Sequence, residues 1–191
     1  MSNIKKSPLF VTYIILLVVM IVLPFFSVPS YVIWKNTTSH LGAQNAPNAW
    51  IMNVTFILLG IATFYESWRK LGKFYFQKIV ISIFAIGLMM TGVFQHAPII
   101  EGVEFNVFQD KMHSIFASLV GFSFTLFAIS STFIESKMKK RYIAISIGIL
   151  ATFLSVLIFN ISNLSGVWQR ILFAGSFAWL LYFFKDTPKS E

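Results

Sequence analysis

The sequence predicts an all-α, polytopic membrane protein, a six-transmembrane-helix bundle with both termini in the cytoplasm. Only 12% of the 191 residues are charged, whereas a soluble domain usually carries about a quarter. The mean hydropathy is +0.75, and the apolar residues gather in six runs. Lysine and arginine are concentrated in alternate connections between those runs. We expect residues 1–191 to form a single transmembrane domain.

The apolar runs approach the roughly 17–25 residues that a membrane-spanning helix needs. The first run follows Lys5 and Lys6 as in a signal peptide, but it is longer than such an apolar core and lacks a small-residue cleavage site, so we interpret it as a retained helix. The third and sixth runs are short, and snorkelling of Lys78 and Lys185 can extend them. In chain order the runs are Leu9–Ser27, Trp50–Trp68, Ile79–Phe94, Ser114–Ile134, Ile143–Ile161 and Ile171–Phe184.

The basic residues predict the orientation of the chain. Twelve lie in one set of connections and three in the other, so the positive-inside rule places the richer set and both termini in the cytoplasm. The net charge of +8 is therefore a topology signal, and no basic helix suggests a nucleic-acid partner. The richer set is Lys5, Lys6, Arg69, Lys70, Lys73, Lys78, Lys137, Lys139, Lys140, Arg141, Lys185 and Lys189; the poorer set is Lys35, Lys111 and Arg170.

Two outer segments hold the residues that could perform chemistry. Val28–Ala49 and Gln95–His113 contain all three histidines. In the first segment Thr38 or Ser39 could cap a short helical turn, and Gly42 would permit a close backbone approach or a left-handed turn. In the second, Asp110 and His113 are three residues apart and would share a helix face, either to meet a ligand or as an N-terminal capping pair. The chain has no cysteine, which excludes disulfides and thiolate sites.

The same segments offer nitrogen and oxygen ligands for a metal. The candidate set is His40, His96, Asp110 and His113, with Glu101 and Glu104 nearby in sequence. No H-x-x-x-H or H-E-x-x-H spacing links the histidines. The main prediction is therefore a site without metal, and a metal site is the alternative. The sequence does not identify a cofactor.

Arg170 opens the sixth helix on the outer side, where the helix dipole disfavours a cation. We expect it to pair with Asp110, with a glutamate of the second outer segment or with an anionic headgroup, because a charge near hydrocarbon is costly without compensation. The alternative is simple snorkelling to the interface.

Several motifs resemble the prokaryotic six-helix membrane proteins catalogued as domain of unknown function 998. They are Ser39-x-Leu41-Gly42, Gly92-Val93-Phe94, His113 at the fourth helix, and Gly166-x-x-Gln169-Arg170. The resemblance spans nearly the whole chain and implies the six-helix architecture. It implies no particular activity, but it directs attention to Ser39, His113, Gln169 and Arg170.

The leading functional prediction is a cell-membrane protein whose outer polar pocket binds a lipid headgroup or a small amphipathic ligand. Ser39, Asp110, His113, Gln169 and Arg170 would line this pocket. The alternatives are a metal-assisted hydrolase acting on lipid, and an accessory subunit or transporter of a hydrophobic substrate. The expected partners are membrane lipids, with no nucleic acid.

Overall fold

The computed structural model describes residues 7–100 and 102–185, so Lys5, Lys6, Glu101 and Lys189 lie outside the described residues. Within those ranges the regular structure is all helical, and six helices are long and apolar enough to cross a membrane, which confirms the predicted fold class. The helices are α1 Pro8–Val22, α2 Ala49–Lys70, α3 Tyr75–Val93, α4 Val107–Ser130, α5 Met138–Asn160 and α6 Ser165–Lys185. Short 3-10 turns at Leu23–Phe26, Ser131–Phe133 and Ser162–Leu164 adjoin α1, α4 and α6.

Helix α4 begins about two turns before its predicted start at Ser114. Its N-cap is Asn106, whose side chain accepts a hydrogen bond from the backbone N–H of Gln109 at 3.2 Å. These early turns mix apolar residues with Gln109, Asp110, Lys111 and His113, so they do not continue the apolar run that begins at Ser114. Asp110 therefore lies inside the first turn, and the alternative that it caps the helix together with His113 is wrong.

The bundle is closed by contacts between helices that are neighbours in the sequence and by α1, which packs against both α2 and α6. Aromatic rings from α3, α4 and α6 fill its interior. The Phe84 and Phe124 ring centroids are 5.7 Å apart, and Phe124 meets Trp179 edge-on at 5.8 Å. Phe177 adds a contact with Phe84 at 6.0 Å. These rings pack α3, α4 and α6 against one another.

Because the helices alternate in direction, the connections fall into two groups at opposite ends of the bundle. Residues 27–48, 94–106 and 161–164 lie at one end, which we call the histidine end. Residues 71–74 and 134–137 lie at the other, which we call the basic end. The predicted chemistry is thus concentrated at the histidine end.

Candidate functional site

The segment of residues 27–48 folds into the end of the bundle. It contains a 3-10 turn at Ser39–Gly42, and the preceding Thr38 is fully buried. Asn53 of α2 donates through Nδ2 to the Gly42 carbonyl at 3.1 Å, and a Cβ on Gly42 would overlap the Asn53 amide oxygen. The expectation that Gly42 permits a close backbone approach is confirmed.

The first turn of α6 is capped by the backbone of this segment. The N–H of Gly166 donates to the Lys35 carbonyl and that of Val167 to the Trp34 carbonyl, each at 3.2 Å. The first N–H groups of a helix have no partner within the helix, so these bonds satisfy them. Glycine is required here because a Cβ on Gly166 would lie 2.5 Å from the Ile33 carbonyl oxygen.

Arg170 binds backbone carbonyls of the same region. Its Nη1 donates to the carbonyls of Ile33 at 2.7 Å, Gly166 at 2.9 Å and Asn36 at 3.0 Å. Its Nε approaches the Met20 carbonyl at 3.4 Å. The planar guanidinium therefore fastens the end of α1 and the outer segment to α6.

Tyr31 extends this network. Arg170 donates through Nη2 to the Tyr31 hydroxyl at 2.6 Å, and that hydroxyl donates to the Thr37 carbonyl at 3.0 Å. Burial raises the pKa of Tyr31, although the nearby Arg170 charge opposes the rise, so the phenol keeps the proton that it donates. The expected ion pair of Arg170 with Asp110 is wrong: among the described residues the ion pairs do not include Arg170, and Asp110 contacts Ala97 instead.

Gln169 holds the neighbouring residue of the segment. Its Oε1 accepts from both the backbone N–H and the hydroxyl of Thr38, each at 2.6 Å. Ser39 is the next residue and is buried within the 3-10 turn. Three predicted site residues, Ser39, Gln169 and Arg170, thus lie where the outer segment docks on α6, and the contacts of Gln169 and Arg170 are the docking bonds.

The other predicted residues form a histidine cluster, which consists of His40, His96, His113 and Asp110. The ring centroids of His40 and His96 are 4.7 Å apart, and those of His96 and His113 are 5.2 Å apart. Asp110 Oδ1 accepts from the Ala97 N–H at 2.7 Å and lies 3.5 Å from His96 Nδ1. The four side chains that the sequence offered as metal ligands do come together.

Hydrogen bonds determine which nitrogen of each neutral ring carries the proton. A carbonyl can only accept, so Nδ1 of His113 donates to the Phe94 carbonyl at 2.8 Å, and Nδ1 of His96 donates to the carbonyl of the following residue at 3.1 Å. A backbone N–H can only donate, so Nδ1 of His40 accepts from Thr37 at 3.1 Å. The remaining Nε2 is therefore an acceptor on His96 and His113 and a donor on His40.

His113 leaves this acceptor without a partner. The residue is 3% exposed, and its Nε2 is buried with no hydrogen bond among the described residues. The other described atoms of this kind are Ser7 Oγ, Ser27 Oγ and Trp168 Nε1. A buried polar atom without a partner costs about 1–3 kcal/mol, so a donor bound at the His113 nitrogen would be stabilising.

His40 stays neutral at physiological pH. Burial lowers its pKa from 6.5 to about 4, with smaller contributions in the same direction from the positive charges that His96 and His113 acquire on protonation and an opposing contribution from Asp110. The ring therefore keeps its Nε2–H as a donor across the physiological range.

Among residues 7–100 and 102–185, no group of three or more His, Cys, Asp or Glu side chains is arranged so that it could hold a metal ion. The structure therefore does not support the metal alternative. His40 illustrates the reason, because its Nδ1 already accepts from a backbone N–H and its Nε2 carries the proton. A metal would need a lone pair on that nitrogen. Glu101, a further predicted ligand, lies outside the described residues.

The sequence did not single out the amide residues that support the cluster. Gln44 donates to the carbonyls of Gln95 at 3.3 Å and Asn106 at 3.1 Å, and its Oε1 accepts from the Asn106 N–H at 2.8 Å. The Gln44 N–H also donates to the His96 carbonyl at 2.9 Å. Amides in irregular segments follow no periodic pattern, so only the many asparagine and glutamine residues of the outer segments could have indicated this network.

Comparison with known proteins gives one family match. The family described as "Protein of unknown function (DUF998)" matches residues 11–184, from within α1 to within α6. No curated protein and no solved structure matches the chain.

Proposed function

The chain belongs to the DUF998 family of proteins of unknown function, and from that premise we propose a role based on its site. The protein is a multi-pass component of the cell membrane that binds the headgroup of a lipid or another amphipathic molecule at the histidine end. The buried Nε2 of His113, which has no partner among the described residues, is the observation that supports this proposal. A ligand headgroup would supply the missing hydrogen-bond donor.

The surroundings of the cluster suit an amphipathic ligand. Polar side chains converge at the end of an apolar bundle, as in sites where a few polar groups orient a mostly apolar molecule. On α4, Phe108 is 63% exposed and Ile115 is 58% exposed, and both lie on the face of the helix opposite His113, where they would meet the acyl chains of the bilayer. A lipid bound at the histidine end would keep its acyl chains in this apolar layer while its headgroup contacts the histidines.

The proposed orientation places the histidine end outside the cytoplasm. It follows from the positive-inside rule, because that end carries few lysines and arginines. Since the chain has no cysteine, single substitutions Lys35→Cys and Lys139→Cys give reporters without further changes. In intact cells an impermeant maleimide should label Cys at position 35 and spare position 139 until the cells are lysed. The reverse pattern would place the histidine end in the cytoplasm.

Ligand binding is tested by thermal unfolding of purified protein with and without a polar lipid extract of the host membranes. The extract should raise the melting temperature of the native protein. His113→Asn should lose this rise, because Asn can still donate to the Phe94 carbonyl but has no atom in the place of Nε2. Lys111→Gln, an exposed change on the same helix, is the matched control and should keep the rise. Equal rises in all three proteins would refute binding at His113.

A further inference from the structure

We infer that the headgroup bound at the histidine end is uncharged and carries hydroxyl groups, because the cluster offers two fixed acceptors and one fixed donor beside a carboxylate. This inference rests on the proposed function and specifies its ligand class. It follows from the proton positions and the charges within the cluster.

The first step concerns the acceptors. The Nδ1–H of His113 is engaged by the carbonyls of Phe94 at 2.8 Å and Thr91 at 3.1 Å, so its buried Nε2 presents a lone pair. In its neutral form His96 presents a second lone pair at Nε2, since its Nδ1–H faces the carbonyl of Ala97 and the carboxylate of Asp110. A ligand that satisfies these two atoms must donate hydrogen bonds.

The second step concerns the donor. Nδ1 of His40 accepts from the N–H and, at 2.8 Å, from the hydroxyl of Thr37, so the proton of the neutral ring is on Nε2. The His40 ring contacts the His96 ring at a centroid distance of 4.7 Å. A ligand in the cluster therefore meets one donor, the Nε2–H of His40, close to two acceptors, the Nε2 atoms of His96 and His113.

The third step concerns charge. The ionisable groups that act on His40 are His96, His113 and Asp110, and only Asp110 is charged when the rings are neutral. A phosphate or carboxylate would face two lone pairs and this carboxylate, and Arg170 is bound to carbonyls elsewhere. An ammonium group would meet the His40 N–H with no atom able to accept from it. A hydroxyl both donates and accepts, so it matches the cluster without a charge.

The cluster also extends from the surface inward. His40 and His96 are half-buried, whereas His113 is 3% exposed. A headgroup with more than one hydroxyl would contact the outer rings and donate a single O–H to His113, which requires it to displace the groups that bury the His113 Nε2. Glycosylated or free diacylglycerols have this chemistry together with acyl chains.

The test compares lipids that share dioleoyl chains and differ in the headgroup. The probes are monoglucosyl-dioleoylglycerol, dioleoylglycerol, dioleoyl phosphatidic acid and a dioleoyl lipid with a primary ammonium headgroup, whose N–H groups can donate to the histidines. Purification in an amine-oxide detergent is essential, because maltoside detergents carry hydroxyls of their own. The two hydroxyl lipids should bind and raise the melting temperature more than either charged lipid. A larger effect of a charged lipid would overturn the ligand class yet leave headgroup binding standing, whereas no effect of any lipid would refute both proposals.

Two matched controls isolate the decisive hydrogen bonds. The methyl ether of dioleoylglycerol accepts but cannot donate, so it should bind about tenfold more weakly than the alcohol. His40→Asn keeps an acceptor for the Thr37 N–H but removes the Nε2–H, and it should weaken binding of both hydroxyl lipids by a similar factor. Equal binding of alcohol and ether, or of native protein and His40→Asn, would overturn the inference. Glucose alone should give no shift, and a shift equal to that of the glucolipid would overturn the assignment to a lipid.

Discussion

Replacing Arg170 with methionine should loosen the whole outer segment. Methionine keeps much of the side-chain length but none of the N–H groups that reach the carbonyls of Ile33, Asn36 and Gly166 and the hydroxyl of Tyr31. Without these donors the carbonyls could form hydrogen bonds only with water, which has limited access to this half-buried position.

The size of the effect follows from the number of bonds. A hydrogen bond from a charged donor contributes roughly 1.5–3 kcal/mol, but three carbonyls share the two N–H groups of Nη1, and relief of guanidinium desolvation offsets part of the loss. We therefore expect Arg170→Met to lower the free energy of unfolding by about 2–4 kcal/mol. This corresponds to a fall in melting temperature of roughly 5–12 °C for a chain of this length. Arg170→Lys retains the charge without the planar fork and should lose about half as much.

The assay combines thermal unfolding in detergent with the reactivity of a single cysteine placed at Ala43, a fully buried residue of the segment whose side chain makes no hydrogen bond. In Arg170→Met this cysteine should react faster with maleimide than in the parent, because the segment separates more often from α6. Lys111→Met removes an exposed cation at the same end and should change stability by less than about 0.5 kcal/mol. If Arg170→Met matched this control in both measurements, the carbonyl network would not be what holds the segment.

Further predictions concern single side chains. Gly42→Ala should lower the free energy of unfolding by roughly 1–3 kcal/mol, because the added Cβ would overlap the amide of Asn53. Gly121→Ala should be close to neutral, because a Cβ at position 121 meets open space. Thermal unfolding of the two variants checks this difference. The pKa of His40 is lower in the folded protein than its ordinary 6.5, so its contribution is fully present above pH 6.5 and is lost as the pH falls towards about 4. That loss is at most about 3 kcal/mol, and His40→Asn should flatten the fall in melting temperature over this range; an equally steep fall would show that other groups control it.

The membrane spans were predictable because apolar runs and the alternation of basic connections depend only on the residue types along the sequence. The exact start of α4 was missed because its first residues, Val107 to Gln109, lie outside the apolar run and are placed in the helix by the Asn106 cap. Boundaries of this kind depend on a cap, which a hydropathy pattern does not contain.

The sequence indicated which residues belong to the site, but it predicted only some of the contacts between them. His113 and Asp110 were expected together, and they are. Arg170 was expected to find an anion, but it binds carbonyls, which every residue possesses and which no sequence pattern distinguishes. The single expected pocket contained residues that the structure divides between a docking network around Arg170 and an adjoining cluster around His113, and Thr37 contacts both, since its carbonyl accepts from Tyr31 and its N–H donates to His40.

The carbonyl network also has a consequence for biosynthesis. Arg170 is 150 residues from Met20 and 137 from Ile33, so the first loop leaves the ribosome long before the arginine that fastens it. Until the last helix has been inserted, the loop lacks its principal hydrogen-bond donors. Chains that are truncated before this helix, or stalled there, therefore expose an unfastened loop that proteases and chaperones can recognise.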